Sequence, residues 1–325
     1  MSVPITLQAR VKDYLAERRR LGFALRSSAL ALRSFSNYVD RVGHSGPLTI
    51  EVMAEWARHD TFDRSTPATW ARRLKKLRPF TRYLRQFEPR TEVPDEAVFG
   101  APPSRLAPHI YREHEIVDLL AAARTLPPRG GLRPATYETL FGLIAVAGLR
   151  VSEAVALRDA DVDLASGLLT IRQTKFAKSR QLPLHPSTVD ALRCYRRRRD
   201  QLCQASPEMP FFIGTRDRRL GQALGLRQVD RVFSTLRDQL EWVNRGAHDH
   251  PRVHDLRHTF AVRRLLLWHE GGTDIDQAML ALSTYLGHAK ISDTYWYLTG
   301  VPELMGLAGS RFEQFVLQNT GADDA

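Results

Sequence analysis

The chain has 325 residues, 43% of them hydrophobic, enough for two domains of ordinary size with a sizeable core. Lys and Arg number 47 against 36 Asp and Glu, a formal net charge of +11, which favours a polyanionic partner, nucleic acid before an anionic lipid surface. No stretch approaches the ~20 apolar residues of a membrane-spanning helix, so the membrane reading loses to nucleic acid.

Met1 to Ala16 alternates polar and apolar residues and lacks the apolar centre of a signal peptide, so cytoplasmic residence is expected. Cys194 and Cys203 fit neither a zinc-site spacing nor a disulfide scaffold and read as reduced thiols.

The first hundred residues read as helices. Leu7, Val11 and Leu15 recur at helical spacing, with Gly22 as the stop. Ser27 or Ser28 is expected to cap a second helix carrying Leu32, Phe35 and Val39, and Thr49 a third carrying Val52 and Trp56. Ser65, with Pro67 just inside, opens a fourth whose apolar stripe is Trp70, Leu74, Leu77, Leu84 and Phe87; Pro79 should kink or divide it. Around that stripe stand Arg72, Arg73, Lys75, Lys76, Arg78, Arg82 and Arg85, with almost no acid before Glu88. Most charge runs are solvated faces, but these charges cannot neutralise one another, so a DNA-facing surface is expected.

Pro89, Pro94, Pro102, Pro103 and Pro108 mark a connection, with a linker expected over 101–112. Beyond it, Tyr111 to Arg124 restarts a helix and Tyr137 to Ala147 forms a strongly apolar one ending at Gly148. Leu168–Gln173 and Arg180–Leu184 read as strands joined by Thr174 to Ser179, and helices dominate from about Ser187. The expected fold class is mainly α with a small antiparallel β-sheet: a helical domain over 1–100, a mixed α/β domain over 113–302, and a tail over 303–325. In that tail Leu304, Leu307, Phe312, Phe315 and Val316 approach helical periodicity.

Several side chains suit phosphodiester chemistry. His254 and Arg257, three apart in a helical segment, share a face; a guanidinium grips two phosphate oxygens and a neighbouring imidazole adds a donor. Arg150 follows Gly148 at a helix start that Ser152 is placed to cap. An arginine there opposes the helix dipole, so a jointly held anion would explain it; Glu153 would orient Arg150 or a neighbouring base, or simply stabilise the first turn. Lys175 and Lys178 lie in the predicted turn, where a lysine on a protruding tip can reach a leaving oxygen. Tyr297 is a candidate nucleophile; a phenol, with an ordinary pKa of about 10, needs help in losing its proton. His288, held at a helix end by Gly287, is the expected helper.

The set Arg150, Lys175, His254-x-x-Arg257, Leu286-Gly287-His288 and Tyr297 resembles the tyrosine recombinase, or phage-integrase-type, family. Gly148-Leu149-Arg150-Val151-Ser152-Glu153 is similar to its first catalytic box, and the nine-residue step from His288 to Tyr297 to its last. Thr174-Lys175 before Arg180–Leu184 is similar to its lysine-bearing β-hairpin, with Lys178 the alternative functional lysine. The motifs cover about residues 110 to 300, and the first hundred residues match only in architecture.

The resemblance implies a helical core-binding domain and a mixed α/β catalytic domain closing on DNA as a C-shaped clamp. It implies site-specific strand cutting and rejoining by Tyr297 through a 3′-phosphotyrosyl link, without metal, ATP or other cofactor. Arg150, Arg257 and His254 would stabilise the phosphorane, Lys175 protonate the leaving 5′-oxygen, and His288 assist at the tyrosine or phosphate. The implied partners are duplex DNA with inverted-repeat recombination sites, further copies in a tetramer on synapsed DNA that the tail could dock, and accessory recombinases, which would make the protein nucleoid-associated. Three other readings are weighed: a non-catalytic DNA-binding regulator on the same scaffold; a type IB topoisomerase; and a zinc hydrolase using His254 and His258 with His269 or His248. For the last, Asp255 stands where the zincin pattern needs Glu.

Overall fold

The computed structural model describes residues 6–59, 66–101, 105–172, 179–215 and 219–300. The chain forms two compact units, residues 1–104 and 105–325.

The first unit is helical: α1 (Leu7–Arg20), α2 (Arg26–Arg41), α3 (Ile50–Arg58) and α4 (Pro67–Leu84). Its core joins Val11, Leu15, Leu32, Phe35, Met53, Trp56, Leu74, Leu77, Phe80 and Leu84, one apolar stripe from each helix. The Thr49 side chain caps α3 as expected. At α4 the capping residue is Thr66, with Pro67 in the first turn; Ser65 lies outside the described residues. No serine caps α2. Leu25 enters it in the left-handed region at φ 46°, without a side-chain cap.

Pro79 does not divide α4, which runs through it. Leu77 and Phe80 are fully buried on either side, so packing outweighs the one lost backbone bond. The proline-rich stretch after α4 is anchored rather than free. Thr91 is buried, Glu92 N donates to Leu48 O at 2.9 Å, and Val98 and Phe99 pack on the core.

The second unit begins with an extended segment whose Tyr111 is 1% exposed, so the expected linker over 101–112 includes a core residue of this unit. Next come α5 (Glu113–Arg124), α6 (Leu132–Ala147) and the short α7 (Val151–Val155). The sheet is small and antiparallel, in the order β1 (Val162–Asp163), β2 (Leu168–Ile171), β3 (Arg180–Pro183). Leu169 pairs with Leu182, both buried, and Ile171 with Arg180. The two-residue β1 is too short to give a pattern in sequence. Helices α8 (Pro186–Asp200), α9 (Leu226–Leu240), α10 (Asp255–Glu270), α11 (Ile275–Leu286) and α12 (Ser292–Gly300) follow among the described residues. The fold is mainly helical with one small antiparallel sheet, the class expected. Among the described residues no helix is long and apolar enough to cross a membrane.

Candidate active site

Three guanidinium groups and one carboxylate meet where α6, α7, β3, α10 and the end of α11 converge. Helix α6 stops at Gly148, which adopts φ 60°; a Cβ there would lie 2.4 Å from the Phe260 ring, so glycine is required both by conformation and by space. The chain then turns into α7. Ser152 is not its cap: Glu153 reaches back, its Oε2 accepting from Arg150 N at 3.0 Å.

The same carboxylate holds the arginines. Arg150 Nη1 donates to Glu153 Oε1 at 2.7 Å, and Arg180, the first residue of β3, donates through Nη2 at 2.8 Å and Nη1 at 3.2 Å. Arg257 Nη1 stands 3.9 Å from Oε2. Burial alone would raise the Glu153 pKa, but Arg180 and Arg150 hold it down to about 2, so it is a permanent anion at neutral pH. Glu153 thus touches Arg150 through both its backbone and its side chain.

Two guanidiniums are aimed by backbone carbonyls. Arg257, 2% exposed in the first turn of α10, donates through Nη1 to Gly148 O at 2.6 Å and through Nη2 to Leu286 O at 2.7 Å. Arg150 donates to Leu286 O at 3.4 Å and Gly287 O at 3.2 Å. These oxygens belong to the C-terminal end of α11, where unpaired carbonyls and the negative end of the helix dipole favour cations. Burial, and Arg150 next to it, lower Arg257 to about 10, which still leaves it charged at neutral pH.

Gly287 adopts φ 66° and packs beneath Arg180, whose Nη1 would lie 2.7 Å from a Cβ. This turn delivers His288, whose N donates to Ser283 O at 3.0 Å while Nδ1 bonds the buried Thr294 Oγ1 at 2.7 Å. Its ring lies parallel to that of Tyr297 at 6.5 Å between centroids. Tyr297, on α12, is 2% exposed, and its hydroxyl is bonded to His258 Nδ1 at 2.9 Å, not to His288. Burial raises its pKa to about 12 against the pull of Arg257, Arg105 and Arg150, so the resting phenol is protonated. Asp293, earlier on α12, pairs with Arg105.

His254 precedes the first turn of α10, beside Arg257 but in the capping position rather than on the helix face. Burial and the Arg257 charge lower it to about 4. Its ring stands perpendicular to that of His258, 4.9 Å between centroids. Asp255 is buried and paired with Arg252 at 2.7 Å, so it is not a free base. Among the described residues no three His, Cys, Asp or Glu side chains gather as a metal-binding group, so the zinc reading finds no third ligand there.

Of the expected site residues, Arg150, Glu153, His254, Arg257, His288 and Tyr297 are therefore brought together in one unit. Lys175 and Lys178 lie outside the described residues, as does the tail over 303–325. On α4, Arg72, Lys75, Lys76 and Arg82 are exposed. Arg73 instead lies 4.5 Å over the Trp56 ring, and Arg78 donates to Pro94 O at 2.7 Å. Two neighbours of the site carry other readings in sequence: Arg180 reads only as a strand residue and His258 only as a zinc ligand. Arg180 shares a strand face with the buried Leu182, and an arginine on a core face was the available signal. His258 lies on the buried stripe of Ala261, Val262 and Leu265, a spacing that points inward.

Comparison with known proteins agrees with this architecture. The family model described as "Phage integrase family" matches residues 110–301. A protein of Sinorhizobium fredii named as an integrase/recombinase, y4rB, is 41% identical over 314 residues, covering 95% of this chain and 98% of its own length. The tyrosine recombinase XerC of Pelotomaculum thermopropionicum is 31% identical, covering 72% of this chain and 71% of its own length. In fold, the XerH site-specific recombinase bound to palindromic difH substrate aligns with a TM-score of 0.61 at 18% identity, over 89% of this chain and 80% of that one. With the family model spanning the site and close relatives spanning both units, the chain belongs to the phage integrase family.

Proposed function

We propose that the protein is a site-specific DNA recombinase of the tyrosine type and that Tyr297 is its nucleophile. The observation carrying this is one buried phenol within the electrostatic reach of two guanidiniums that are already aimed, in a unit of the phage integrase family. In the reaction the Tyr297 oxygen bonds to phosphorus as the bond from phosphorus to the 5′-oxygen breaks. The phenol loses one proton and the departing oxygen gains one; His288 is the residue assigned to assist the first, and Lys175 the residue assigned to supply the second. Arg150 and Arg257 stay charged, and their planar forks fit the non-bridging oxygens, with His254 as a further donor. The link to tyrosine conserves the broken bond's energy, so rejoining needs no nucleotide cofactor, and the arginines supply the charge stabilisation a metal otherwise would.

The partner is duplex DNA carrying inverted repeats, cut by copies assembled as a tetramer, with accessory recombinases and the tail over 303–325 joining that assembly. Residues 1–100 would grip the DNA through the exposed cations of α4, and the protein would reside with the nucleoid. The relatives named as integrase or recombinase support this over a regulator without chemistry, as does the full set of motif residues. Tyr297→Phe should abolish covalent attachment to DNA while leaving site binding nearly intact, and attachment by the unaltered protein should persist in EDTA. Attachment through Tyr295 in the variant would move the nucleophile.

A further inference from the structure

We propose that His258 is a positioning residue for the nucleophile: its Nδ1 accepts the Tyr297 hydrogen and fixes the phenolic oxygen beside Arg257. This rests on the assignment of Tyr297 above. The bond is 2.9 Å long and lies in an aromatic setting. The His258 ring meets Tyr297 edge-on at 5.6 Å, Trp296 at 5.9 Å and His254 at 4.9 Å between centroids.

Neighbouring side chains on a helix diverge by about 100°, so one turn can aim adjacent residues at different targets. Arg257 points to the carbonyls of Gly148 and Leu286, where the phosphate clamp is set. His258 points to α12 and holds the attacking atom. Tyr297 otherwise packs among Ala261, Val262, Leu265, Met279 and Leu282, which grip a ring but cannot fix the direction of its hydroxyl.

The direction of the bond follows from protonation. The phenol carries its hydrogen throughout the neutral range, and the imidazole, buried among cations, is neutral and so has one accepting nitrogen. The proton of His258 then sits on Nε2. The contact thus aims the phenolic oxygen.

The test compares the full chain with His258→Phe, His258→Asn and Tyr297→Phe. Without DNA, nitrogen NMR of histidine-labelled protein should show a hydrogen-bonded, unprotonated Nδ1 that moves to the position of a free nitrogen in Tyr297→Phe. With nicked duplexes from the DNA flanking the protein's own gene, His258→Phe should form the covalent complex ~10- to 100-fold more slowly at unchanged DNA affinity, the scale of a small misplacement of a reacting group. His258→Asn, with an amide near the place of Nδ1, should recover most of that rate. A histidine that merely props the fold would lower affinity and rate together and would not be rescued by asparagine. Equal rates for the unaltered chain and His258→Phe, or a spectrum indifferent to Tyr297→Phe, would overturn the proposal. If the unaltered chain forms no covalent complex, the assignment of the nucleophile fails instead, and the NMR comparison alone decides whether the contact exists.

Discussion

The two units handle the same residue type in opposite ways. On α4, Arg72, Lys75, Lys76 and Arg82 stand exposed on a helix whose other face is core. In the second unit, Arg257 is 2% exposed and Arg180 partly buried; with Arg150 they gather on Glu153, and Arg150 and Arg257 also bond the carbonyls that close α6 and α11. An exposed cation costs little to keep and can meet any phosphate within reach, so it yields affinity without fixed geometry. A buried guanidinium costs desolvation, which its carboxylate and carbonyl partners offset, and in return it is aimed before any ligand arrives. Net charge adds the two kinds together and cannot tell them apart.

Substitution separates them. Arg150→Ala and Arg257→Ala should slow covalent complex formation by ~10²- to 10³-fold or more, the scale for losing one donor to a developing oxyanion. Their affinity for DNA should change far less; affinity lost in proportion to rate would erase the distinction between the two groups of cations.

Acid should reach the second unit through its histidines. Burial, then neighbouring charges led by arginines or His254, keep His254 and His288 at about 4 and His258 at about 2, below their ordinary 6.5. The unfolded chain therefore takes up protons the folded site refuses, so this contribution is intact above pH 6.5 and declines as pH falls toward 4. Urea midpoints at pH 7 and pH 5 should show the loss, and His258→Phe should show less of it; equal midpoints for the unaltered protein would contradict the burial of these rings.

The smallest effects belong to α4. Replacing Arg72, Lys75, Lys76 or Arg82 singly by alanine should shift stability by no more than about 0.5 kcal/mol. Each residue in phosphate contact should lower the slope of log affinity against log salt by about 1. An unchanged slope for all four would remove this helix from the DNA interface.

Much of this was legible because the signals were local. Gly148 and Gly287 stand where a helix must stop, Thr49 where one must start, and the apolar stripes around Leu32 and Leu74 describe cores that formed. The candidate site residues stand out through spacing and resemblance, and the structure gathers the described ones. What escaped depends on contacts between distant segments. The Arg180 bond to Glu153 spans 27 residues and the His258 bond to Tyr297 spans 39, and neither leaves a periodic trace. That Pro79 does not divide α4 and that the proline-rich stretch is anchored have the converse reason: local rules favour a break, and burial of Phe80 and Thr91 keeps these segments packed.

Arg257 spends two hydrogens on the oxygens of Gly148 and Leu286, out of the five a guanidinium carries. The backbone thus serves as a jig, locking the plane of the fork while leaving hydrogens to spare for an incoming group. An ammonium in its place would keep the charge and lose the jig, because three hydrogens spinning on one nitrogen cannot be pointed at two carbonyls and a third partner from set directions.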